Sequence, residues 1–137
     1  SKAHIYDESR SIDLSIFYKL FKNNKNTYFV IDKEINENDR KILKKFKNVI
    51  ICDEFIKDWT DTALIVSNLD EVITVDTSLA HISGTLNIPT KILIAKEPDW
   101  RWGIKGTKTE WYKSVKLVRQ KEADNWDKVI DNLVKQY

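Results

Sequence analysis

Short runs of branched apolar residues alternate along this chain with stretches in which apolar residues recur every three or four positions. The runs are typical of buried strands, and the recurrence predicts helices with one apolar face. The predicted strands cover residues 27–31, 48–52, 71–75, 90–95 and 115–119. Because apolar strands that alternate with helices favour a parallel sheet covered on both faces, the predicted fold class is α/β, a Rossmann-like doubly wound sheet.

Helices are predicted before the first strand, between the first four strands and at the end of the chain, with polar residues as N-caps. They begin at Asp13, after Asn36, at Thr60 or Asp61, at Ser78, and after Asp124 or Asn125. In the helix over residues 78–87, four residues are expected to face inward: Leu79, Ile82, Ser83 and Leu86. The last helix has the most regular apolar face, which comprises Trp126, Val129, Ile130, Leu133, Val134 and Tyr137.

The start of the chain departs from a doubly wound domain, which normally begins with a strand that becomes central in its sheet. Here the first predicted element is a helix, so the missing strand is either residues 3–7 or a segment upstream of Ser1. We favour the upstream position. The chain also contains no methionine, even at position 1, which indicates a fragment. Residues 1–137 are therefore expected to form a single domain without its first strand.

Composition and charge narrow the possible functions. The net charge is +2, and the lysines are spread beside nearly as many acids, so no concentrated basic patch favours nucleic acid. No apolar run is long enough for a membrane span, and no signal peptide is visible. The single cysteine, Cys52, is expected to be buried in a reducing compartment, and neither it nor His4 has metal-ligand spacing. These features favour a cytoplasmic protein.

Residues 75–84, VDTSLAHISG, carry the candidate chemistry. Asp76 follows the third predicted strand, and ligands of open α/β sheets bind outside the carboxyl ends of strands. Thr77 and Ser78 open a helix whose first turn presents unpaired N–H groups and a partial positive charge, which favours an anion. His81 shares their face and could reach such a group as a neutral ring that donates one N–H. In the structural alternative, Asp76 or Thr77 is an N-cap and His81 bonds a carbonyl.

No G-x-G-x-x-G or Walker A motif is present, which argues against a nicotinamide dinucleotide or P-loop nucleotide site. Residues 61–120 instead closely resemble the C-terminal domain of proteins related to glycosyltransferase family 9, the heptosyltransferases, of the type often fused to tetratricopeptide repeats. The match extends more weakly over nearly the whole chain. The matching segments are DTA (61–63), VDTSLAH (75–81), Gly84, Pro89, PDWRW (98–102), WY (111–112), RQ (119–120) and RSI (10–12).

The resemblance implies the C-terminal half of a GT-B fold, in which two Rossmann-like domains face each other across a cleft. This half would hold a nucleoside diphosphate sugar without a metal or other cofactor, and the sugar would pass to an acceptor hydroxyl on a glycan, lipid or protein. The base would come from the N-terminal domain, so this chain alone is expected to bind its donor better than it catalyses transfer. The expected partners are donor, acceptor, and the N-terminal domain or repeats of the full-length protein.

The resemblance also implies roles for individual residues. Thr77, Ser78 and His81 would contact the donor diphosphate, and His81 would be the catalytic residue that stabilises the leaving group. Asp76 would cap the helix or accept a donor hydroxyl, because a carboxylate that faces a diphosphate repels it. Arg10 would be a second diphosphate ligand, and its alternative is an ordinary surface arginine.

The long loop over residues 96–114 offers a second candidate region. Arg101 lies between two tryptophans, which could stack a base or line the acceptor cleft, with Arg101 as a substrate ligand. Alternatively, the tryptophans of the loop pack against the domain and hold the loop in place, and Arg101 pairs with Asp99 or Glu110. Residues 60–62 offer a similar choice between a ribose contact and a helix cap.

Other classes of function remain open. Ser78 stands where related heptosyltransferases often have glycine, and its side chain would hinder the close approach of a phosphate. This substitution favours a non-catalytic interaction module that retains the glycosyltransferase fold. A sugar-nucleotide epimerase would share the ligand class, but the sequence does not contain the catalytic groups that it would need.

Overall fold

The computed structural model describes residues 12–123 and 125–137. Its elements, in chain order, are α1 (Leu14–Phe21), β1 (Tyr28–Val30), α2 (Glu37–Leu43), β2 (Val49–Ile51), α3 (Trp59–Ser67), β3 (Val72–Val75), α4 (Ser78–Thr85), β4 (Thr90–Ile94), β5 (Val115–Arg119) and α5 (Trp126–Val134). Short 3-10 helices cover Asp53–Phe55 and Trp100–Trp102. The fold class is therefore α/β, as predicted, and each of the predicted strands is present within one residue of its expected ends.

Some predicted features lie outside the described residues, namely the possible strand at residues 3–7, Arg10 and the possible cap Asp124. Within the part of the chain that the structure describes, no helix combines the length and the apolar character needed to cross a membrane.

The chain divides into two compact units, and each contains one parallel sheet. One unit includes Asp13–Thr62 and Ile130–Tyr137, with the two-stranded sheet β1-β2. The other includes Ala63–Val129, with the three-stranded sheet β3-β4-β5. The described strands thus pair in two small sheets rather than in one continuous sheet. The single domain over residues 1–137 stays a prediction.

The unit with the two-stranded sheet is built around aromatic side chains. Ring centroids lie 5.1–6.2 Å apart in the pairs that connect Tyr18, Phe21, Tyr28 and Phe46. Such separations allow tilted and edge-to-face contacts, which add to the free energy gained by burial. Cys52 directly follows β2 and is buried, as expected, and burial raises the pKa of its thiol.

The unit with the three-stranded sheet has one apolar core that joins the sheet, α4 and the long loop. Its buried members are Ala80, Ile92, Ile94, Trp102, Val115 and Leu117. Tyr112, which is partly buried, packs against this cluster. Because Trp102 and Tyr112 both come from the loop between β4 and β5, this loop forms part of the core rather than a loose connection.

The inward face of α4 differs from the prediction. Ala80, Ser83 and Gly84 are buried, whereas Leu79 is only partly buried and Leu86 is exposed. Ser83 is therefore buried as predicted, Leu79 and Ile82 are partly buried, and the prediction is wrong for Leu86. At Gly84 the reason is steric, because the ring of Tyr112 packs so close to this position that a Cβ atom would overlap it.

The cap of α3 also differs from the prediction. The helix begins at Trp59, so Thr60 and Asp61 lie in its first turn and the N-cap position is Asp58. Asp58 accepts a hydrogen bond from the Asp61 amide at 3.0 Å, and the Asp61 carboxylate accepts one from the Lys57 amide at 2.8 Å. This reciprocal arrangement resembles a capping box, and it gives Asp61 a structural role.

The predicted caps of two other helices are confirmed. Asn36 accepts a hydrogen bond from the Asp39 amide at 2.8 Å at the start of α2. Asn125 accepts one from the Lys128 amide at 3.4 Å at the start of α5. These caps could be predicted because both bonding partners lie within one turn of sequence.

Candidate functional site

The turn between β3 and α4 lies at the carboxyl end of a strand, where the sequence predicted a site. Thr77 occupies the N-cap position of α4, but its side chain makes no capping hydrogen bond to the helix. Its hydroxyl instead lies 3.3 Å from that of Thr74 on β3. The ordinary cap is therefore not made by Thr77, and Ser78 opens the helix with an exposed side chain.

His81 lies one turn into α4 and contacts two aromatic residues of the long loop. Its Nδ1 atom is 2.9 Å from the Tyr112 hydroxyl oxygen, a normal hydrogen-bond distance. Its ring stacks on Trp102, with centroids 5.5 Å apart and planes 25° apart. The partner of Nδ1 is thus a tyrosine hydroxyl, not the backbone carbonyl considered in the structural alternative.

Gly84 explains how Tyr112 reaches the histidine. A Cβ atom at position 84 would lie only 2.5–2.8 Å from three carbon atoms of the Tyr112 ring, far inside van der Waals contact. Gly84 follows His81 by three residues, so both lie on the same face of α4. The tyrosine ring therefore packs over the glycine while its hydroxyl reaches the imidazole.

Two buried N–H donors occur in the same unit without an acceptor among the described residues. They are Nε1 of Trp102 and Nε2 of Gln120. Gln120 directly follows β5, and its Oε1 atom accepts a hydrogen bond from the Lys96 amide at 3.1 Å. A buried donor without an acceptor costs about 1–3 kcal/mol, so native proteins retain few of them.

Arg101 adopts the pairing that the sequence offered as its structural alternative. Its Nη1 atom lies 2.9 Å from Oδ1 of Asp99, and its guanidinium lies 4.9 Å from the centre of the Trp100 ring. The backbone carbonyl of Arg101 accepts a hydrogen bond from the Trp111 indole at 3.0 Å. These contacts lie within the loop and fix its shape, and a role of Arg101 in substrate binding stays a prediction.

Arg119 is a residue whose importance the sequence did not indicate beyond its place in the RQ segment. Its guanidinium donates to the loop carbonyls of Trp102, Gly103, Lys105 and Gly106. Burial lowers the pKa of this arginine below its ordinary value. Because Trp102 stacks on His81, Arg119 holds the segment that supports the histidine ring.

The predicted residues are thus only partly brought together. Thr77, Ser78 and His81 lie on one turn and the start of one helix, as expected from their spacing, and Asp76 precedes them. Arg10 lies outside the described residues. No group of three or more histidine, cysteine, aspartate or glutamate side chains with metal-binding geometry is found in the described part of the chain.

No protein-family model, curated protein or solved structure matches the chain. The resemblance to glycosyltransferase family 9 therefore stays a prediction that rests on the sequence segments quoted above.

Proposed function

We propose that this chain is the nucleotide-sugar-binding domain of a metal-independent glycosyltransferase. The observation that carries the proposal is the position of His81, one turn into the helix that follows the carboxyl end of β3, with its ring held by Tyr112 and Trp102. The start of such a helix favours an anion, and a fixed imidazole one turn into the helix offers an N–H donor in addition. A diphosphate is the ligand class that suits this pair of features.

The chemistry follows from where charge develops. Cleavage of a glycosyl bond to a diphosphate builds positive character on the sugar and negative charge on the leaving group. Donors aimed at that group stabilise the transition state more than the ground state. In this proposal, His81 and the first turn of α4 serve the leaving group, and another domain supplies the base for the acceptor hydroxyl.

The finer fold assignment belongs to the same proposal. Within each sheet, consecutive strands are parallel, and a helix connects β1 to β2 and β3 to β4. Parallel strands connected by a helix are the repeating unit of Rossmann-like folds, and their presence supports the proposed assignment to the C-terminal half of a GT-B enzyme. The connection from β4 to β5 differs, because it consists of a 3-10 helix and the long loop.

A ligand titration tests the proposal. Calorimetry of the chain with nucleoside diphosphates and nucleoside diphosphate sugars is expected to show binding of at least one of these ligands. His81→Ala is expected to weaken that binding about 10–100-fold, which is the loss typical of a hydrogen bond to a charged group. Thr85→Ala, an exposed change at the other end of α4, is the matched control and should leave affinity unchanged. No binding by folded wild-type chain, or equal binding by both variants, would contradict the proposal.

A second candidate is the non-catalytic interaction module. It is favoured by three large apolar side chains of the loop that face solvent: Trp100 is 72% exposed, Ile104 87% and Trp111 56%. Trp100 and Trp111 also contact each other, with ring centroids 6.1 Å apart, and contiguous exposed apolar patches often mark a protein-binding surface. In the full-length protein, the variants His81→Ala and Asp76→Ala separate the two candidates. Loss of sugar transfer with intact folding favours the enzyme. Unchanged partner binding, with no sugar transfer by either the wild type or the variants, favours the module.

A further inference from the structure

Tyr112 has a role beyond packing in this site. We infer that it is a positioning residue, whose hydroxyl donates to Nδ1 of His81 and thereby keeps the imidazole proton on Nε2. The expected effect of Tyr112 on ligand binding rests on the proposed function. The assignment of the imidazole proton to Nε2 of His81 rests only on the contacts of Tyr112.

The direction of the hydrogen bond follows from the groups involved. A neutral imidazole has one N–H donor and one acceptor nitrogen, and a phenol has one O–H donor. The Tyr112 hydroxyl and Nδ1 are 2.9 Å apart, and Nδ1 is the acceptor that the described residues offer to the hydroxyl proton. If Nδ1 carried the proton instead, the hydroxyl would accept, and its own proton would be left to solvent, because the described residues offer it no other acceptor.

The orientation of the imidazole ring is fixed from two sides. Trp102 stacks on it at 5.5 Å, and the Tyr112 ring meets it edge-on at 5.8 Å with the planes 64° apart. Gly84 admits the tyrosine, since any side chain there would overlap the ring. A ring flip of His81 would replace Nδ1 by a C–H group opposite the hydroxyl and lose the hydrogen bond.

The consequence for function is that the His81 imidazole is left with one N–H donor, at Nε2. When Tyr112 holds Nδ1, the remaining nitrogen, Nε2, carries the proton of a neutral imidazole and donates without a change of protonation state. A donor that needs no reorganisation is the kind that stabilises developing charge on an oxyanion. Tyr112 therefore acts through His81 and is not itself a catalytic residue.

Nitrogen-15 NMR of the imidazole side chains tests this assignment directly. The chain contains two histidines, so His81→Gln identifies the signals of His81. In the neutral form of the His81 imidazole, the wild-type chain is expected to show an unprotonated Nδ1 and a protonated Nε2, without averaging between tautomers. Tyr112→Phe keeps the ring and removes the hydroxyl, and it is expected to shift the Nδ1 signal and populate both tautomers.

The matched control is Tyr28→Phe, which removes a buried tyrosine hydroxyl from the other unit. It should leave the His81 signals unchanged. A protonated Nδ1 in the wild-type chain, or identical His81 spectra in wild type and Tyr112→Phe, would overturn the assignment. Urea unfolding of each variant shows whether the fold is retained.

Titration with inorganic pyrophosphate separates this inference from the proposed function. Tyr112→Phe is expected to weaken pyrophosphate binding by about 3–10-fold, the effect of one lost hydrogen bond. If the wild-type chain does not bind pyrophosphate but the NMR result is as expected, the proposed function fails and the positioning role of Tyr112 stands. If pyrophosphate binds but the variant shows neither spectral nor affinity change, the positioning role is refuted.

Discussion

The close approach of Tyr112 to Gly84 predicts that Gly84→Ala destabilises the wild-type chain but stabilises a variant that lacks the Tyr112 ring. In the wild-type chain, Gly84→Ala places a methyl group 2.5–2.8 Å from three ring carbons, where about 3.5–4.0 Å is the favourable separation. The overlap of about 1 Å must be relieved by movement of the ring, and overpacking of this kind costs about 1–3 kcal/mol. The hydrogen bond to His81 adds about 0.5–1.5 kcal/mol if it is lost.

Helix propensity acts in the opposite direction. Position 84 lies within α4, and alanine is favoured over glycine in a helix interior by about 1 kcal/mol. The net effect of Gly84→Ala is therefore expected to be a loss of about 1–2 kcal/mol in the free energy of unfolding. In the Tyr112→Ala background the ring is absent, and the same substitution should stabilise the chain by about 0.5–1 kcal/mol.

A double-mutant cycle measured by urea unfolding tests this prediction. The two substitutions should be coupled by about 1.5–3 kcal/mol, because they share one contact. Gly103→Ala is the control: its φ of +63° makes a side chain unfavourable although no atom lies within 4 Å, so its cost should be the same in both backgrounds. If Gly84→Ala stabilises the wild-type chain, or costs the same without Tyr112, the steric reasoning is wrong.

Three further predictions concern other parts of the chain. Leu117→Ala removes a buried side chain of β5 and is expected to lower the free energy of unfolding by about 2–5 kcal/mol in urea titrations. Arg119→Gln removes the guanidinium that holds the loop carbonyls, so tryptic cleavage after Lys105 should become faster. Burial and a hydrogen bond to Asp39 raise the pKa of Tyr18 to about 12 from 10.0, so Asp39→Asn should lower the midpoint of the Tyr18 absorbance titration. Because the folded state binds this proton more tightly, its stabilising contribution is present below about pH 10 and is lost as the pH rises through about 12.

Each of these predictions has a control. Ile104→Ala changes a residue that is 87% exposed and should alter stability by less than about 0.5 kcal/mol. Lys116→Gln removes an exposed cation from the same strand as Arg119 and should leave cleavage after Lys105 unchanged. The difference titration between wild type and Tyr18→Phe isolates the signal of Tyr18, and a midpoint near pH 10 would contradict the raised pKa.

Local sequence determined the secondary structure of this protein with few errors. The strands fall within one residue of their predicted ends, and Asn36 and Asn125 cap the helices that they were expected to cap. Apolar runs and capping residues act on neighbours within a few positions, so their effects can be read without knowledge of the fold. The position of His81 one turn after Ser78, on the helix behind β3, followed from the same local rules.

Tertiary structure decided which residues complete the candidate site. Tyr112 lies 31 residues after His81 and comes from a loop without periodicity, so no spacing rule connects the two side chains. The same ring decides why position 84 of α4 is a buried glycine, since a Cβ atom there would overlap the tyrosine ring. The Arg119 guanidinium donates hydrogen bonds to backbone carbonyls that lie 13–17 residues earlier in the chain, and these contacts depend on the path of the folded loop. Sequence thus placed the histidine, and long-range packing chose its partners, because steric fit between distant segments exists only once the chain has folded.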